Sequence, residues 1–469
     1  MYFLVLLAVI ALVYALVTYR LHLRHPETLW DWDKKNLNDL SFPENFIWGT
    51  ATASHQVEGD NVNNWSRWEE GTHADGSPHI HNNDQSGKAC EHYSRYKEDI
   101  QRIKDLGLTS YRFSLSWNRI EPTPGDYNQE AIAHYHRVID TCREMGIRPM
   151  VTLHHFTHPL WFEDIGSFEH EENIEHFLRF SEKAFSEYGH KVKYWCTHNE
   201  PGPFASMGWG LGVFPPGIRS LKRMSRVLQN LMRSHLRVYK KLKSMPGGEK
   251  AQIGLVKNIF QFDPYRRWSL VHWALCRLLD HLYNESIIRF LRDGLFRIYV
   301  PGVVFIQEKF EDAQGATDFI GLNYYSNLLM SPLSPQKPPF KPLKRPGQVL
   351  TDFPYTTYGE GFYRALKRIN TIGRPILVTE NGIPDAKDDR RETFIKRYIF
   401  AMSQAIKDGC DVRGYYYWSL LDNFEWAEGY SMRFGLYAIN FETQERTLRE
   451  GAKAYQEIVQ NHGLKPHVK

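Results

Sequence analysis

The stretch KYWCTHNE, residues 193–200, joins a short apolar run to two polar residues at its end. Its first part, 193–198, has no clean alternation of polar and apolar residues, which is typical of parallel strands buried on both faces. Asn199 and Glu200 follow directly. Seven further runs of this kind occur along the chain, at 46–52, 109–116, 149–155, 252–257, 317–322, 375–379 and 412–418.

Amphipathic helical patterns lie between several of these strands. In 93–106, the apolar residues Tyr96, Ile100 and Ile103 recur at helical spacing, and Gly107 can end the helix. Similar patterns occur at 130–145, 171–188, 389–407 and 446–460. Because strand and helix alternate about eight times, the sequence predicts an α/β fold, a single closed (β/α)8 barrel of the TIM type.

Composition excludes several classes of function. The chain has 469 residues, with 58 basic and 54 acidic side chains and a net charge of +4. This balance is too weak to indicate a nucleic-acid partner. No metal-ligand spacing and no phosphate-binding glycine loop occurs, so we expect neither a metal nor an organic cofactor. The odd number and wide spacing of the cysteines favour a reducing compartment; they are Cys90, Cys142, Cys196, Cys276 and Cys410.

The first nineteen residues are almost all apolar and carry no charge. As a helix they would extend about 28 Å, close to the thickness of a bilayer core. A basic segment before them and a small-residue cleavage site after them are both missing, which favours an uncleaved anchor over a signal peptide. The prediction is a transmembrane anchor at 1–19, a polar linker at 20–41 and a catalytic domain at 42–469. A cleaved signal peptide or a peripheral apolar tail is the alternative.

The side of the membrane is predicted from the flanking charges. Arg20 and Arg24 follow the apolar segment, and positive flanks favour the cytoplasmic side, so we expect the catalytic domain on the cytoplasmic side. The unpaired cysteines agree with this side. Two sequons, Asn64-Trp65-Ser66 and Asn284-Glu285-Ser286, point instead to an extracytoplasmic or lumenal location.

Polar and aromatic residues cluster where the predicted strands end. In barrels of this type the active site lies at the carboxyl ends of the strands. Glu200 follows the fourth strand and Glu380 follows the seventh, so the two carboxylates face each other across the mouth. The other polar and aromatic side chains near strand ends are Arg112, His155, Asn199, Asn323, Tyr325 and Trp418.

Two carboxyl groups flanking one C–O bond are what glycoside cleavage requires. One donates a proton to the leaving oxygen, and the other attacks the anomeric carbon or activates water. We expect Arg112 and Tyr325 to keep Glu380 ionised, and the negative charge of Glu380 together with burial to raise the pKa of Glu200. A single strand-end glutamate is more often a surface or ion-paired residue, so the paired placement carries this interpretation.

The chain resembles glycoside hydrolase family 1, the β-glucosidase family, from about residue 42 to residue 459. Six motifs carry the resemblance: FIWGTATASHQVEG at 46–59, THNEP at 197–201, TENG at 379–382, WSLLDNFEW at 418–426, GY at 429–430 and RFGL at 433–436. The resemblance implies a β-glycosidase that retains anomeric configuration through a covalent glycosyl-enzyme intermediate. Its two carboxyl groups are then expected about 5 Å apart.

The resemblance also implies a role for each matching residue. Glu200 is expected to be the general acid/base and Glu380 the nucleophile. Arg112, Asn323 and Tyr325 are expected to hold the nucleophile. The residues expected to bind the glycone are Gln56, His155, Asn199, Tyr325, Trp418, Glu425, Trp426 and Phe434, with Trp418 as the platform under the sugar.

One position departs from the family pattern. Members of the family usually have His-Trp-Asp after the third strand, and this chain has His155-Phe156-Thr157. Phe156 keeps the ring but lacks the indole N–H, a donor expected to reach the sugar 3-hydroxyl. Glucose is the expected glycone, and galactose and fucose stay open.

Two other functions use the same residues. The first is a transglycosylase acting on membrane glycolipids, with the apolar, arginine-flanked segment 268–279 touching the membrane surface. A barrel helix packed on the sheet is the alternative interpretation of that segment. The second is a catalytically inactive glycan-binding protein, against which the presence of both carboxylates argues.

Overall fold

Eight parallel strands close into one barrel, and each strand pairs with its neighbours in chain order. The computed structural model describes residues 1–332, 343–353 and 355–462. The first and last strands close the ring, with Ile47 opposite Gly414 and Ala51 opposite Trp418. All eight predicted strands are confirmed: β1 Ile47–Ala51, β2 Ser110–Ser114, β3 Arg148–His154, β4 Tyr194–Asn199, β5 Gln252–Pro264, β6 Phe319–Met330, β7 Ile376–Asn381 and β8 Val412–Trp418.

β5 and β6 run further than the sequence predicts. They stay paired as far as Pro264 and Met330, well beyond the other strands. Every residue of β1, β2 and β7 is buried, as expected for parallel strands covered on both faces. Gly49 in β1 illustrates the packing, since a Cβ there would lie 2.6 Å from the ring of Tyr416 and 2.8 Å from the carbonyl oxygen of Ser110.

Apart from the N-terminal helix, the longer helices cover the outside of the barrel, and each buries an apolar stripe. In α4, for example, Phe177, Phe180 and Phe185 are buried at helical spacing. The longer helices are α1 Tyr2–Arg24, α2 His92–Asp105, α3 Gln129–Glu144, α4 Ile174–Tyr188, α5 Leu221–Ser244, α6 Leu270–Asp280, α7 Ser286–Asp293, α8 Gly359–Asn370, α9 Arg391–Lys407 and α10 Lys453–His462. Short helices at the mouth include Ser54–Val57, Asn64–Glu69, Trp117–Ile120, Leu160–Asp164 and Pro201–Ala205.

The predicted helix over 446–460 is wrong in its first part. Arg446–Leu448 is a strand that pairs antiparallel with Tyr437–Ile439, and the helix begins only at Lys453. Tertiary contacts override the helical pattern here, because the side chain of Arg446 forms a buried ion pair with Asp99. A second antiparallel hairpin, Leu295–Val300 with Val304–Lys309, has no counterpart in the sequence prediction.

α1 is the one helix of the described residues that is long and apolar enough to cross a membrane, by length and composition only. A signal sequence passes the same test. The helix continues to Arg24, five residues past the apolar segment, and Thr18 is its one buried residue. The segment that follows is packed against the barrel: Trp30 lies 5.8 Å from the ring of Phe400, and its backbone N–H donates to Glu360 at 2.8 Å.

A buried ion pair joins α2 to the strand near the C-terminus. Asp99 and Arg446 both have fully buried side chains, and Nε of Arg446 lies 3.0 Å from Oδ1 of Asp99. His92 contacts the other carboxylate oxygen at 2.9 Å. Burial alone would raise the pKa of Asp99, but the bonds from His92 and Arg446 hold it below its ordinary value. The ionised carboxylate therefore depends on these partners.

Removing one partner of this pair should destabilise the fold strongly. Arg446→Met leaves the buried carboxylate of Asp99 with His92 and the more distant Arg102, 3.5 Å away; losing the buried cation costs about 3–5 kcal/mol of unfolding free energy. Urea denaturation in mild non-ionic detergent, which keeps the apolar α1 soluble, measures the change. The control is Arg413→Met, because the Arg413–Asp411 pair is 59% and 47% exposed and such pairs contribute about 0–1 kcal/mol. Equal losses in the two variants would contradict this account.

Candidate active site

The carboxyl groups of Glu200 and Glu380 are joined by a chain of hydrogen bonds across the mouth. Nη1 of Arg112 donates to Oε1 of Glu380 at 2.6 Å, and Nη2 donates to Oδ1 of Asn199 at 2.7 Å. Nδ2 of Asn323 donates to the same asparagine oxygen at 3.2 Å and to Oε1 of Glu200 at 2.8 Å. Both glutamates are buried. Residues from four strands therefore converge on two carboxyl groups.

Glu380 is held as an acceptor on both of its oxygens. Oε1 receives the bond from Arg112, and Oε2 receives a bond of 2.7 Å from the hydroxyl of Tyr325. Arg112 is itself buried and is fixed by a further bond from Nε to the hydroxyl of Thr152 at 3.1 Å. A cationic donor and a hydroxyl donor both stabilise the ionised carboxylate. This geometry suits a nucleophile.

Glu200 lies in a different environment. Its bonds come from two neutral amides, Asn258 at 2.9 Å and Asn323 at 2.8 Å, and both reach Oε1. Burial, and then the negative charge of Glu380, raise the pKa of Glu200 to about 7. A group with this pKa is protonated in a large fraction of molecules at neutral pH and can still release its proton, as a general acid must.

Asn323 lies in the site but contacts a different partner from the expected one. The resemblance places it beside the nucleophile, whereas its amide nitrogen bonds Glu200 and its oxygen accepts from the hydroxyl of Thr379 at 2.7 Å. The ladder between β6 and β7 shifts register at this position. Asn323 therefore positions the acid/base candidate.

The predicted glycone-binding residues converge beside the two carboxyl groups. Nε2 of Gln56 donates to Oε2 of Glu425 at 3.1 Å, and Nδ2 of Asn199 lies 2.9 Å from Nε2 of His155. The ring of His155 stacks with those of Trp418 and Trp426, each 5.9 Å away. Burial and the charge of Glu380 raise the pKa of Glu425 to about 8.

Two atoms of this group lack partners. Among the described residues, Oε1 of Gln56 and Nδ1 of His155 are buried polar atoms without a hydrogen bond. Buried polar atoms are normally paired, so such atoms in a cleft are candidates to receive a ligand. In the same part of the chain, no group of three or more His, Cys, Asp or Glu side chains is placed to hold a metal ion.

Phe156 and Phe434 supply apolar wall. Phe156 packs 5.1 Å from the ring of Trp426 and 5.9 Å from that of Phe214. Phe434 lies edge-on to Tyr325 at 5.9 Å, on the nucleophile side. Phe156 thus occupies the expected place beside the glycone group and offers no polar atom there.

The backbone at the mouth is constrained where these side chains leave it. Phe156, Glu200 and Trp426 all adopt positive φ angles, of 67°, 47° and 49°. Such angles are rare outside glycine and concentrate at functional sites. Gly382 allows the ends of β7 and β8 to meet, since a Cβ there would lie 1.8 Å from the carbonyl oxygen of Trp418.

The structure adds three residues behind Glu200 that the sequence prediction missed. The hydroxyl of Tyr283 donates to Oδ1 of Asn258 at 2.9 Å, and Asn258 in turn bonds Glu200. Lys257 is fully buried, with its ammonium 4.5 Å from the ring of Tyr283 and 3.1 Å from Oδ1 of Asn284. Burial lowers the pKa of Lys257 to about 7. A lysine inside an apolar strand was the available sequence signal.

Lys257 should tune the proton affinity of Glu200. Its positive charge lowers the pKa of Glu200, so Lys257→Met should raise that pKa. Activity that needs protonated Glu200 is lost as pH rises through this pKa. The basic limb of the kcat/KM profile should therefore move to higher pH.

The exposed Lys250, near the start of the same strand, provides the control. Lys250→Met should leave the profile in place. A basic limb that is unchanged or shifted to lower pH in Lys257→Met would contradict the coupling.

Two buried carboxyl groups at the mouth of a (β/α)8 barrel, one held by a cation and the other by neutral amides, are the arrangement that glycoside hydrolysis requires. Residues 38–464 match the sequence profile of glycosyl hydrolase family 1. The chain belongs to this family.

Proteins of similar sequence and structure align with nearly the whole chain. β-Glucosidase A of Thermotoga maritima is 36% identical over 463 residues, covering 91% of this chain and all of that protein. The solved β-glycosidase from Pyrococcus horikoshii has a TM-score of 0.79 at 36% identity and covers 91% of this chain and 99% of its own. The solved family 1 β-glucosidase from Thermotoga maritima has a TM-score of 0.80 at 33% identity, with 91% of this chain and 100% of its own covered.

Proposed function

We propose that the protein hydrolyses β-glucosides with retention of anomeric configuration, with Glu380 as nucleophile and Glu200 as general acid/base. The main support is the contrast between the two carboxyl groups, one held by Arg112 and Tyr325 and the other by neutral amides. Relatives named β-glucosidase A from Thermotoga maritima and Acetivibrio thermocellus support the glucoside substrate. These relatives favour neither the transglycosylase nor the inactive binding protein.

In the first step the carboxylate of Glu380 attacks the anomeric carbon. The bond from that carbon to the leaving oxygen breaks, and the proton of Glu200 passes to this oxygen. The products are a free alcohol and a glycosyl ester on Glu380. Arg112 and Tyr325 orient Glu380 for the attack, and the environment of Glu200 supplies the proton at neutral pH.

In the second step Glu200 is a carboxylate and acts as a base. It takes a proton from water as the water oxygen attacks the anomeric carbon from the opposite face. The ester bond to Glu380 breaks and its electrons return to the carboxylate. Two inversions give net retention, and the proton taken from water returns Glu200 to its protonated form.

The glycone is held by the group around His155. Sugar hydroxyl groups can form hydrogen bonds with the unpaired atoms Gln56 Oε1 and His155 Nδ1. Glu425 accepts a hydrogen bond from the sugar when it is ionised and can donate one when it is protonated. The ring of Trp418 supplies a flat surface for the sugar C–H face. Phe156 lacks the indole N–H donor that the family usually has at this position. Comparing kcat/KM for aryl β-glucoside, β-galactoside and β-fucoside therefore identifies the preferred glycone.

Removing either carboxyl group should let an added nucleophile react with the sugar, and the two variants should give products of opposite anomeric configuration. Glu380→Ala and Glu200→Ala should each lower kcat on an ordinary β-glucoside, by about 10⁴-fold for the nucleophile and about 10²–10⁴-fold for the acid. Azide fits where the missing carboxylate stood. Azide should give the α-glucosyl azide in Glu380→Ala and the β-glucosyl azide in Glu200→Ala, as NMR of the products shows.

The exposed Glu130 provides the control, and Glu130→Ala should keep parental activity and form no azide adduct. Glu200→Ala should also retain more activity on a dinitrophenyl glucoside, whose leaving group needs no proton. The same anomer from both variants would contradict the assigned roles.

We propose further that α1 anchors the enzyme in a membrane, with the barrel on the cytoplasmic side and lipid-linked β-glycosides among its substrates. Arg20 and Arg24 on the flank of the helix support this side. The sequon residues Asn64 and Asn284 are both buried and hydrogen-bonded, so neither offers an accessible glycan acceptor. The five cysteines are buried and unpaired, which fits a reducing compartment.

Alkaline carbonate extraction tests the anchor. The full-length chain should stay with the membrane pellet, because carbonate releases peripheral proteins but not a helix that spans the bilayer. A variant starting at residue 26 should be released and should keep its activity on soluble glucosides. Release of the full-length chain at its intact mass would contradict a spanning helix.

A further inference from the structure

Exposed apolar side chains are concentrated in one stretch of the chain, 268–305. After residue 24, eleven large hydrophobic side chains of the described residues are exposed, and six of them belong to this stretch. Trp268, Val271 and Phe305 are 58%, 62% and 64% exposed. Clusters of exposed apolar side chains of this kind usually mark an interaction surface.

α6 carries apolar residues on two sides. Its inner side packs on the barrel through Trp273 and Cys276, which are buried. Val271, Ala274 and Leu278, spaced three and four residues apart, are exposed on the other side. A helix that only covers a barrel would be polar on its outer side. One side of α6 therefore packs on the barrel, as the barrel-helix interpretation predicts. The other side is exposed and apolar, as the membrane-contact interpretation predicts.

The hairpin Leu295–Val300 with Val304–Lys309 continues this surface. The backbone N–H of Tyr299 donates to His281, just past α6, at 3.1 Å. Tyr299 and Phe305 are paired across the hairpin with rings 5.9 Å apart, and both are exposed. We call the whole set the apolar face: Trp268, Val271, Ala274, Leu278, Tyr299, Val303 and Phe305.

α1 lies along the edge of the apolar face. The hydroxyl of Tyr14 donates to the carbonyl oxygen of Trp268 at 2.9 Å, and the ring of His22 stacks on that of Trp268 at 4.7 Å. His25 bonds Nη2 of Arg277 at 2.9 Å. Residues 1–13 are all exposed, and the contacts of the helix with the barrel begin at Tyr14. Thus only the second half of the helix lies against the barrel.

The length of the free part sets how deep the barrel must lie. Thirteen helical residues extend about 20 Å, whereas the hydrocarbon core of a bilayer is about 30 Å thick. A helix that crosses the core therefore brings about 10 Å of its barrel-bound part into the bilayer. The ring of Trp268 stacks on His22, just beyond this part, and tryptophan is enriched at the level of the lipid headgroups. Arg20 and Arg24 follow at the level of the lipid phosphates.

We propose that the apolar face inserts into the surface of the bilayer that α1 crosses, so that the active-site mouth lies at the lipid surface. α6 follows β5, whose carboxyl end is on the mouth side. Beyond α6, Tyr283 bonds Asn258, which bonds Glu200. The segment that directly continues the inserted helix thus forms part of the wall behind the acid/base. The substrate class is a lipid-linked β-glycoside with its sugar at the bilayer surface; this class rests on the proposed glucosidase activity, whereas insertion rests only on the proposed membrane anchor.

Insertion is tested with a fluorophore on single introduced cysteines. The five native cysteines are buried, so Val271→Cys and Phe305→Cys can be labelled selectively in the folded full-length chain with the environment-sensitive dye NBD. The control is Glu144→Cys, exposed at the end of α3 and at the opposite end of the barrel. In phosphatidylcholine–phosphatidylglycerol vesicles, nitroxide-labelled acyl chains should quench positions 271 and 305 several-fold more than position 144. Equal quenching at the three positions overturns insertion.

The substrate class is tested by activity. Combined Val271→Ser and Phe305→Ser should lower kcat/KM for a vesicle-embedded long-chain alkyl β-glucoside about tenfold or more, because two apolar anchors are lost. Activity on a soluble aryl β-glucoside should not change. An unchanged ratio of the two activities overturns the membrane-surface route. A parental chain that inserts but cleaves no β-glucoside overturns the proposed function and the substrate class while supporting insertion.

Discussion

The contact between Arg112 and Glu380 is the interaction on which the site depends. A fully buried guanidinium is tolerated only when its charge is matched, and Glu380 supplies that match at 2.6 Å. The same guanidinium reaches Asn199 with its second nitrogen. Arg112 therefore fixes the nucleophile and, through Asn199 and Asn323, the frame around Glu200. One strand-borne cation sets the geometry of both carboxyl groups.

The negative charge so fixed also determines the proton affinities around it. Burial and the charge of Glu380 raise the pKa of both Glu200 and Glu425, to about 7 and about 8. Lys257 acts in the opposite direction on Glu200 from behind. The acid is thus tuned by a nearby anion in the mouth and a buried cation outside it. The anion is Glu380, the other catalytic carboxyl group. The cation is Lys257, which lies on β5, the strand that precedes α6.

The sequence predicted the features that depend on local pattern. Eight buried apolar runs located the strands, and the polar residues at their ends located the two carboxyl groups. Features that depend on tertiary pairing were missed. Arg446 lies in a strand because Asp99 captures its side chain, and Asn323 bonds Glu200 because the ladder beside β7 shifts register. The contact from Tyr283 to Asn258 joins residues from two separate elements, so no local pattern could reveal it.

In the proposed mechanism Glu380 forms a covalent bond to the sugar. A dinitrophenyl 2-deoxy-2-fluoro-β-glucoside tests it directly, because the fluorine slows both steps while the good leaving group keeps the first one fast. Mass spectrometry of the digested protein should then find the fluoroglucosyl group on the peptide that contains Glu380, and turnover should resume when it is released. A label on Glu200 or Glu425, or hydrolysis of ordinary substrate with inverted configuration and no label, would contradict the account.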